Sequence, residues 1–499
     1  MREVLLIFRK DLRHLWPRIV PLLVVSVLLG WTECQVLRNP VVGLLRSVWL
    51  LAVAYLAASV IHEEPLPGHQ QYWLTRPYSR RQLVLAKALF LAAFTGLPVL
   101  ALGAASLLVN GVFPLRHLLL LLSATLIFAG ASGLIVAALA SVTENLVQLL
   151  WGLLPAIVVV VFGYVVAGAM DRTGNWQWDR LEWIRDSALV IVVLAASVTV
   201  LFLQYSLRKT AASRCLLGGA VLIAAAGPFL GSWHGAWTIE RKLAGRQLDG
   251  TAVRIAFDPA KRPAVGFADA TFSPGPTEAG INLPILVTGI PTGTEVVCER
   301  IVARIEASDG TSWTSTLTRV GGLYSTTPLQ DSFVVRGDGP YWQYVDVDDS
   351  FYRSVKDAPV HLHTTVALTL LGDRKTAPLI NRDRTGLRSG DGVCRVDPSP
   401  FGSLVVSCAW LGHSPARSYV VAKSSRSGQT FASLLSTGFG SPYPMDGSVW
   451  ERTSTLFSVP ATLEMQLETW QAVARFERDL DIPQIRLSDY AVRRITDMP

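Results

Sequence analysis

Side chains that could perform chemistry are few in this sequence, and they form no complete catalytic motif. The chain has no GxxxxGK[ST] loop, so it should not hydrolyse ATP by itself, and it has no HExxH, GxSxG or CxxC motif. His361 and His363 would share one face of a strand, which could suit a metal ion. Because no third ligand accompanies them, solvent-facing strand residues are the simpler interpretation. The sequence predicts no catalytic residue, metal site or cofactor in this chain.

The densest polar and aromatic stretch is the segment 62–82, HEEPLPGHQQYWLTRPYSRRQ, which lies between two long apolar runs. Its aromatic pair and the adjacent leucine are typical of the rigid anchors at protein interfaces. Its arginines could pair with acids of a partner or with anionic lipid head groups. Prolines stop the preceding helix, and Ser79 or Thr75 could cap the next one. A basic loop that only fixes topology is the alternative, but it leaves the acids and aromatics without a role.

The elements around this segment are apolar enough to span a membrane. Half of the 499 residues are hydrophobic, and the mean hydropathy of +0.37 is typical of a membrane protein. A helix needs about 20 apolar residues to cross the hydrocarbon core. We predict seven spans, at residues 17–37, 41–61, 83–109, 118–140, 146–168, 188–204 and 216–233.

The net charge of +7 follows the boundaries of these spans, as in a topological signal, and does not form the basic stripe of a nucleic-acid-binding protein. Basic residues concentrate before the first span and in the second and sixth loops. The positive-inside rule therefore places the N-terminus in the cytoplasm, and seven crossings place residues 234–499 outside. We expect no nucleic-acid partner.

Two shorter stretches also favour the membrane surface. Residues 1–16 combine an apolar face with a basic one, which predicts an interfacial helix that ends at Trp16 and Pro17; a cytoplasmic extension of the first span is the alternative. The Trp-rich stretch 171–186 predicts a short interfacial or re-entrant helix.

Residues 234–499 change from helical to strand-like periodicity. The stretch 360–372 alternates with a period of two, and the stretch 298–320 predicts a hairpin that turns at 308–310. We predict an all-β sandwich of about ten or more strands. Cys394 and Cys408 could form a disulfide in an oxidising compartment, with two buried thiols or a pairing with Cys298 as alternatives.

Charged residues are nearly absent from the centres of the predicted spans. Arg46 and Lys87 lie near span ends, so we expect their side chains to reach the interface. Without an intramembrane carboxylate, an ion-coupled carrier is disfavoured. Energy would then come from a partner protein.

The segment 62–82 resembles the coupling segment of ABC-2-type transporter permeases, which docks into a groove of a separate ATPase subunit. The residues that would contact the ATPase are Glu63, Glu64, Gly68, Tyr72, Trp73, Leu74, Arg76, Pro77, Ser79, Arg80, Arg81 and Lys87. The family also has an amphipathic N-terminal helix, six core spans and outer helices between spans five and six. The resemblance covers about residues 1–205, and the seventh span and the outer domain depart from it.

This resemblance implies a membrane α-helical bundle of about seven transmembrane helices, followed here by the all-β sandwich. It implies a permease subunit in the bacterial inner (cytoplasmic) membrane that exports a substrate. The chain would pair with a second permease chain and with an ABC ATPase subunit that binds ATP and Mg²⁺, in contact with membrane lipid. A membrane-anchored binding or sensor protein, whose outer sandwich carries the function, is the alternative.

Overall fold

The structure is a computed structural model, and it consists of a helical region followed by a region of β-sheets. It describes residues 2–34, 42–64, 79–170, 181–229, 233–243, 250–262, 278–315, 320–324, 334–335, 338–379, 387–389, 392–398, 404–411, 417–423, 430–436, 450–457 and 464–492.

The helical region is interrupted by short π-helical turns that continue a helix without ending it. The α-helices are α1 (Arg2–Cys34), α2 (Val42–His62), α3 (Arg80–Leu91), α4 (Leu97–Val109), α5 (Leu118–Thr125), α6 (Ala131–Ser141), α7 (Leu146–Met170), α8 (Glu182–Phe202), α9 (Thr210–Ala226), α10 (Trp233–Leu243) and α11 (Asp349–Val355). The π turn Ala92–Gly96 joins α3 to α4, Leu126–Gly130 joins α5 to α6, and Leu203–Leu207 extends α8.

Seven of these helices or continuous helix pairs are long and apolar enough to cross a membrane. They are Arg2–Thr32, Gly43–His62, Arg80–Val109, Leu118–Ser141, Leu146–Met170, Trp183–Leu207 and Thr210–Phe229. The predicted number of spans is confirmed, and the pattern is that of an integral, multi-pass membrane protein. The sixth helix is longer than predicted, because it includes Trp183 and continues through a π turn.

Helix α1 runs without a break through Pro17 and Pro21, so the predicted end of an interfacial helix at Pro17 is wrong. Its 33 residues extend for about 50 Å, more than the hydrocarbon core requires. Proline is tolerated in membrane helices because local adjustments and neighbouring helices satisfy the freed backbone groups. The buried face of its first half consists of Val4, Ile7, Asp11 and Leu15. Residues 2–16 are thus continuous with the first span, and their apolar side chains Leu5 and Trp16 are exposed.

The core of the helical region lies where α1, α2 and the helices joined by π turns meet. Trp49 is fully buried there and stacks on Phe128 at a centroid distance of 4.9 Å. Its indole N–H donates to the Ser26 hydroxyl at 2.9 Å, and that hydroxyl donates to the carbonyl of Leu22. A buried indole therefore keeps a hydrogen bond in an apolar core, which fixes α2 against α1.

The seventh span ends at Phe229, before the Trp233 that the sequence placed at its end. Trp233 instead begins α10, a short helix that carries Trp237 and Glu240. The predicted seventh span was too long, because tryptophan is as typical of a membrane boundary as of a helix that packs on another domain.

The β-sheet region contains fifteen strands among the described residues. They are β1 (Arg254–Phe257), β2 (Glu278–Thr288), β3 (Glu295–Ala307), β4 (Ser312–Thr314), β5 (Val320–Tyr324), β6 (Val334–Val335), β7 (Gly339–Asp348), β8 (Pro359–Leu379), β9 (Leu387–Ser389), β10 (Gly392–Pro398), β11 (Leu404–Leu411), β12 (Arg417–Lys423), β13 (Thr430–Ser436), β14 (Trp450–Phe457) and β15 (Glu464–Arg486).

The strands form three antiparallel sheets. Two have four strands, in the orders β1-β2-β7-β5 and β14-β11-β10-β9, and the third has seven, β13-β12-β15-β8-β3-β4 with β6 beside β3. The predicted hairpin is present as β3 and β4, with Gly310 in a positive-φ turn conformation. The predicted strand in 360–372 is confirmed as part of β8, and its alternating residues Val360, Leu362, Val366, Leu368 and Leu370 are all buried. Burial alternates only as far as Val366, because Ala367, Thr369 and Leu371 on the other face are buried as well.

The long strands β8 and β15 tie the three sheets together. One hydrophobic core contains residues of β8 and β15 together with β2 and β7 of a four-stranded sheet. A second core contains Leu379 at the end of β8, together with residues of β10 and β11 from the other four-stranded sheet. The seven-stranded sheet thus contributes to both cores.

Candidate functional site

The segment 62–82 is described at its two ends. The predicted contact residues within the described ranges are Glu63, Glu64, Ser79, Arg80, Arg81 and Lys87. Those outside the described residues are Gly68, Tyr72, Trp73, Leu74, Arg76 and Pro77. The predicted interfacial helix in 171–186 also lies mostly outside, and its described part belongs to the start of α8.

Glu64 is the centre of a buried charged cluster at one end of the segment. It follows the last residue of α2 by two positions and is 3% exposed. Its Oε1 accepts a hydrogen bond from Lys10 Nζ at 2.8 Å, and its Oε2 lies 3.2 Å from Lys87 Nζ. Burial raises the pKa of a carboxyl group, but here the two ammonium groups outweigh it and lower the pKa of Glu64 to about 2. The carboxylate is therefore held in its charged form.

Lys87 supplies the buried cation of this cluster. Its side chain is 3% exposed, and its ammonium also donates to the carbonyl of Val60 near the end of α2. The expectation that Lys87 reaches the interface is wrong, because Glu64 and a backbone carbonyl satisfy it inside the bundle. Since both Glu64 and Lys87 are buried, neither presents its charge at the surface as the predicted docking role would require.

Helix α1 contributes the other two charged members, which the sequence did not reveal as part of a site. Lys10 Nζ lies 3.1 Å from Asp11 Oδ1, and it bridges that carboxylate to Glu64. Asp11 is fully buried on the same face of α1 as Ile7 and Leu15. An acid at helical spacing among buried apolar residues is the signal that could have identified it. We call Lys10, Asp11, Glu64 and Lys87 the charged cluster.

The outer members of the segment make weaker contacts. His14 Nε2 lies 3.2 Å from Glu63 Oε1, and the histidine is exposed, so this pair contributes little. Ser79 caps α3 in a capping box, in which Gln82 N donates to the serine hydroxyl and Ser79 N donates to the Gln82 side chain. The predicted cap at Ser79 is therefore confirmed. Arg80 and Arg81 are exposed at the first turn of α3.

The β-sheet region packs on the opposite end of the helical bundle from this segment. Leu107 of α4 and Leu121 of α5 share a hydrophobic cluster with Ala409 and Leu411 of β11. Leu107 and Arg80 lie near opposite ends of one continuous helix. A partner docked on the segment 62–82 would therefore act at the far end of the bundle from the sheets.

Aromatic and charged side chains also join the helices to the sheets, at the end of the bundle opposite the segment 62–82. Trp233 and Trp237 of α10 stack at 5.2 Å, and the Arg300 guanidinium lies 4.5 Å from the centre of the Trp233 ring. Arg475 of β15 forms an ion pair with Glu240 of α10 at 2.9 Å. Helix α10 thus contacts the seven-stranded sheet through the cation–π contact of Arg300 with Trp233 and through the ion pair of Arg475 with Glu240.

The two cysteines predicted as a possible pair are joined in the structure. Cys394 of β10 and Cys408 of β11 are register partners, and a disulfide links them with a Cα–Cα distance of 4.1 Å. Cys298, which could have competed, is buried on β3 with its Sγ 3.9 Å from the carbonyl oxygen of Arg300.

The histidine pair of β8 lies on an exposed face and contacts β15. His361 Nε2 lies 2.6 Å from Asp481 Oδ1, and His363 Nδ1 lies 3.6 Å from the same oxygen. In the described ranges, no group of three or more His, Cys, Asp or Glu side chains is arranged to hold a metal ion. The pair is accounted for by these surface contacts.

Comparisons with protein-family models and with curated proteins find no match for this chain. Its function must therefore be inferred from the sequence and from the geometry of the charged cluster.

Proposed function

We propose that this chain is the permease subunit of an ABC-2-type transporter, which exports a substrate across a bacterial cytoplasmic membrane. A separate ATPase subunit would bind ATP and Mg²⁺ and dock on the segment 62–82. Two permease chains would line the path. The chain itself would contribute no catalytic residue, in keeping with the lack of a phosphate-binding loop in its sequence.

The charged cluster is the observation that supports this function best. Glu64 lies near the start of the segment, Lys87 lies just past its end, and Lys10 belongs to α1. Displacing any one of them would leave a buried charge unpaired, at a cost of about 3–5 kcal/mol. A force applied to the segment would therefore move α1, α2 and α3 together.

The role of the segment is divided between its parts. Tyr72, Trp73 and Leu74 would provide the surface that the ATPase contacts, since an aromatic pair beside a leucine is typical of interface hot spots. Buried Asp11, Glu64 and Lys87, together with the half-buried Lys10, would provide the rigid base that transmits the movement. The β-sheet region, at the other end of the bundle, would receive the substrate or hand it on.

Affinity purification of the tagged full-length chain from its native membrane in a mild detergent tests this function. We expect a protein with a GxxxxGK[ST] motif to co-purify in stoichiometric amount, identified by mass spectrometry. Recovery of the chain without such an ATPase, at low salt and with ATP present, would contradict the proposal. It would favour the binding or sensor protein instead.

A further inference from the structure

The described helical region contains a cavity of about 930 Å³ between three walls. One wall is the continuous helix α3–α4, the second is α5–α6, and the third is the last part of α8. A volume of this size is at the upper end of the range for small-molecule sites. Most of the lining side chains are alanine, leucine, valine and phenylalanine.

Each wall carries a π-helical turn at the cavity. The turns Ala92–Gly96, Leu126–Gly130 and Leu203–Leu207 all contribute lining residues, and they are the π-helical turns found in the described part of the chain. Such turns are rare and often occur at functional sites, because the extra residue re-aims the side chains of one turn. Their convergence on one cavity indicates a built site.

Polar groups are scarce within the walls. The hydroxyls of Thr95 and Thr125 donate to backbone carbonyls one turn earlier, so their hydrogens are already used within their own helices. Tyr205 also lines the cavity, is 6% exposed, and its hydroxyl has no hydrogen-bond partner among the described residues. The middle of the cavity thus suits an apolar chain. The Tyr205 hydroxyl is a buried donor at the end nearest Arg80, where Lys87 also lines the cavity but is paired with Glu64.

Positive charge is concentrated at that end. Arg80 and Arg81 line the cavity, and Arg80 Nη1 donates to the carbonyl of Ser206 at 3.2 Å, which holds the guanidinium between α3 and the end of α8. Arg208 lies nearby: burial first, and then the charge of Arg80, lower the pKa of its guanidinium. The two guanidinium groups of Arg80 and Arg81 at the end of an apolar cavity suit an anionic group.

We propose that this cavity binds one anionic phospholipid per chain, with its phosphate at Arg80 and Arg81 and its acyl chains along α3–α4. From Arg80 to Leu100 the lining helix extends for about 30 Å, long enough for extended acyl chains. Basic pockets between membrane helices bind anionic head groups in the same way. This inference does not depend on an ATPase partner, and it can fail while the proposed function stands.

Native mass spectrometry of the purified full-length chain, without any partner, tests the charged end. Delipidated protein would be titrated with phosphatidylglycerol and, separately, with phosphatidylcholine. The wild-type chain should retain one phosphatidylglycerol. The Arg80→Gln/Arg81→Gln variant should bind it about 30-fold more weakly, since each nearby cation strengthens binding roughly fivefold. The matched control is Arg9→Gln/Arg13→Gln, which removes two exposed arginines of α1 that do not line the cavity.

A second pair of variants tests the apolar walls. A Cβ at Gly133, which lines the cavity, would meet no atom within 4 Å, so Gly133→Leu should fill the space and leave the helix intact. We expect at least a tenfold loss of phosphatidylglycerol binding. Gly152→Leu, at an equally open position of α7 outside the cavity, should have no effect.

Three outcomes would overturn the inference. Unchanged phosphatidylglycerol binding in either cavity variant would do so, and so would equal wild-type affinity for the two lipids. The third is a shift of the Gly133→Leu chain between dimer and monomer with lipid binding retained, which would show that a second copy of the chain covers the cavity.

Discussion

Two carboxylates at opposite ends of the helical bundle, the buried Glu64 and the partly buried Glu240, are paired with cations in different ways. Glu64 faces two lysines, and although burial opposes it, its pKa falls to about 2. Glu240 faces Arg475, but burial is the larger influence and the nearby Glu299 adds repulsion, so the pKa of Glu240 is raised. Carboxylate–cation pairing thus holds Glu64 in its charged form at one end of the bundle. At the other end, Glu240 binds a proton more readily than an ordinary glutamate.

The difference lies in how many opposite charges each carboxylate meets. Two cations compensate the desolvation of Glu64, whereas one cation shared near two acids does not compensate that of Glu240. We infer that the end with the segment 62–82 is the rigid anchor. The contact between α10 and the sheets is stabilised less by its ion pair, and we call it the weaker contact.

Glu64→Gln should have the largest effect on stability. The substitution leaves the ammonium of Lys87 buried without a carboxylate, which costs about 3–5 kcal/mol of unfolding free energy. This loss of unfolding free energy is measured by denaturation in detergent, monitored by the helical circular dichroism signal. The control Glu63→Gln removes only the half-buried partner of the exposed His14 and should cost less than about 1 kcal/mol. Equal losses in the two variants would contradict the anchor.

The pair variant Glu64→Met/Lys87→Met sharpens the same point. Because it removes both buried charges and keeps similar volume, it should recover most of the stability lost in Glu64→Gln. Additive losses in the pair variant would show that the two side chains act independently.

Low pH should weaken the charged cluster through protonation of Glu64. Its folded pKa of about 2 lies below the ordinary 4.5, so its stabilisation is present above about pH 4.5 and is lost as the pH falls towards 2. Unfolding curves of the wild-type chain and Glu64→Gln between these values measure this loss. The variant should lack the part of the acid sensitivity that Glu64 contributes, and parallel profiles would contradict the assignment.

Removal of the disulfide should affect the sheets rather than the anchor. Cys394 and Cys408 close a loop with a sequence separation of 14, and losing such a link costs about 3 kcal/mol. Cys394→Ala/Cys408→Ala should increase hydrogen exchange in β10 and β11 and leave α1, α2 and α3 unchanged. Increased exchange in α3 would show that the two ends are not separate.

Glu240→Gln should have the smallest effect, about 1 kcal/mol, because the charged form of Glu240 is already disfavoured. Its pH dependence has the opposite sign from that of Glu64. A raised folded pKa means that stability is present at low pH and is lost as the pH rises through that pKa. Hydrogen exchange in α10 should therefore become faster on raising the pH in the wild-type chain, after correction for intrinsic rates, but not in Glu240→Gln. A wild-type chain whose exchange in α10 does not become faster with pH would contradict the role given to Glu240 in this weaker contact.

Periodicity was sufficient to predict the number of membrane helices and the main strands. The alternation of 360–372 located strand β8, and up to Val366 burial alternates as expected for a strand with one face on a core. From Ala367 both faces of β8 are buried, which the period of two does not reveal. Pro17 misled the prediction for α1, since the rule that proline ends a helix is weaker where neighbouring helices satisfy the backbone.

The charged cluster could not be predicted from spacing alone. Lys10 lies on α1, Lys87 lies on α3 and Glu64 follows the end of α2, and only the packing of those helices brings the three together. A lysine near the end of an apolar run has the same local pattern whether it reaches the interface or meets a buried acid. Asp11 was the available clue, because an acid on the buried face of a helix requires a cation.

Docking of an ATPase subunit on the segment 62–82 is tested directly by measuring how much ATPase co-purifies with a variant of this segment. The chain with Tyr72→Ala, Trp73→Ala and Leu74→Ala would be purified beside the wild type and beside Phe113→Ala/Leu115→Ala. The latter removes exposed apolar side chains at the opposite end of α3–α4. We expect the triple variant to insert normally and to lose at least tenfold of the co-purifying ATPase, while the control retains it. Unchanged ATPase recovery with the triple variant would contradict docking on this segment.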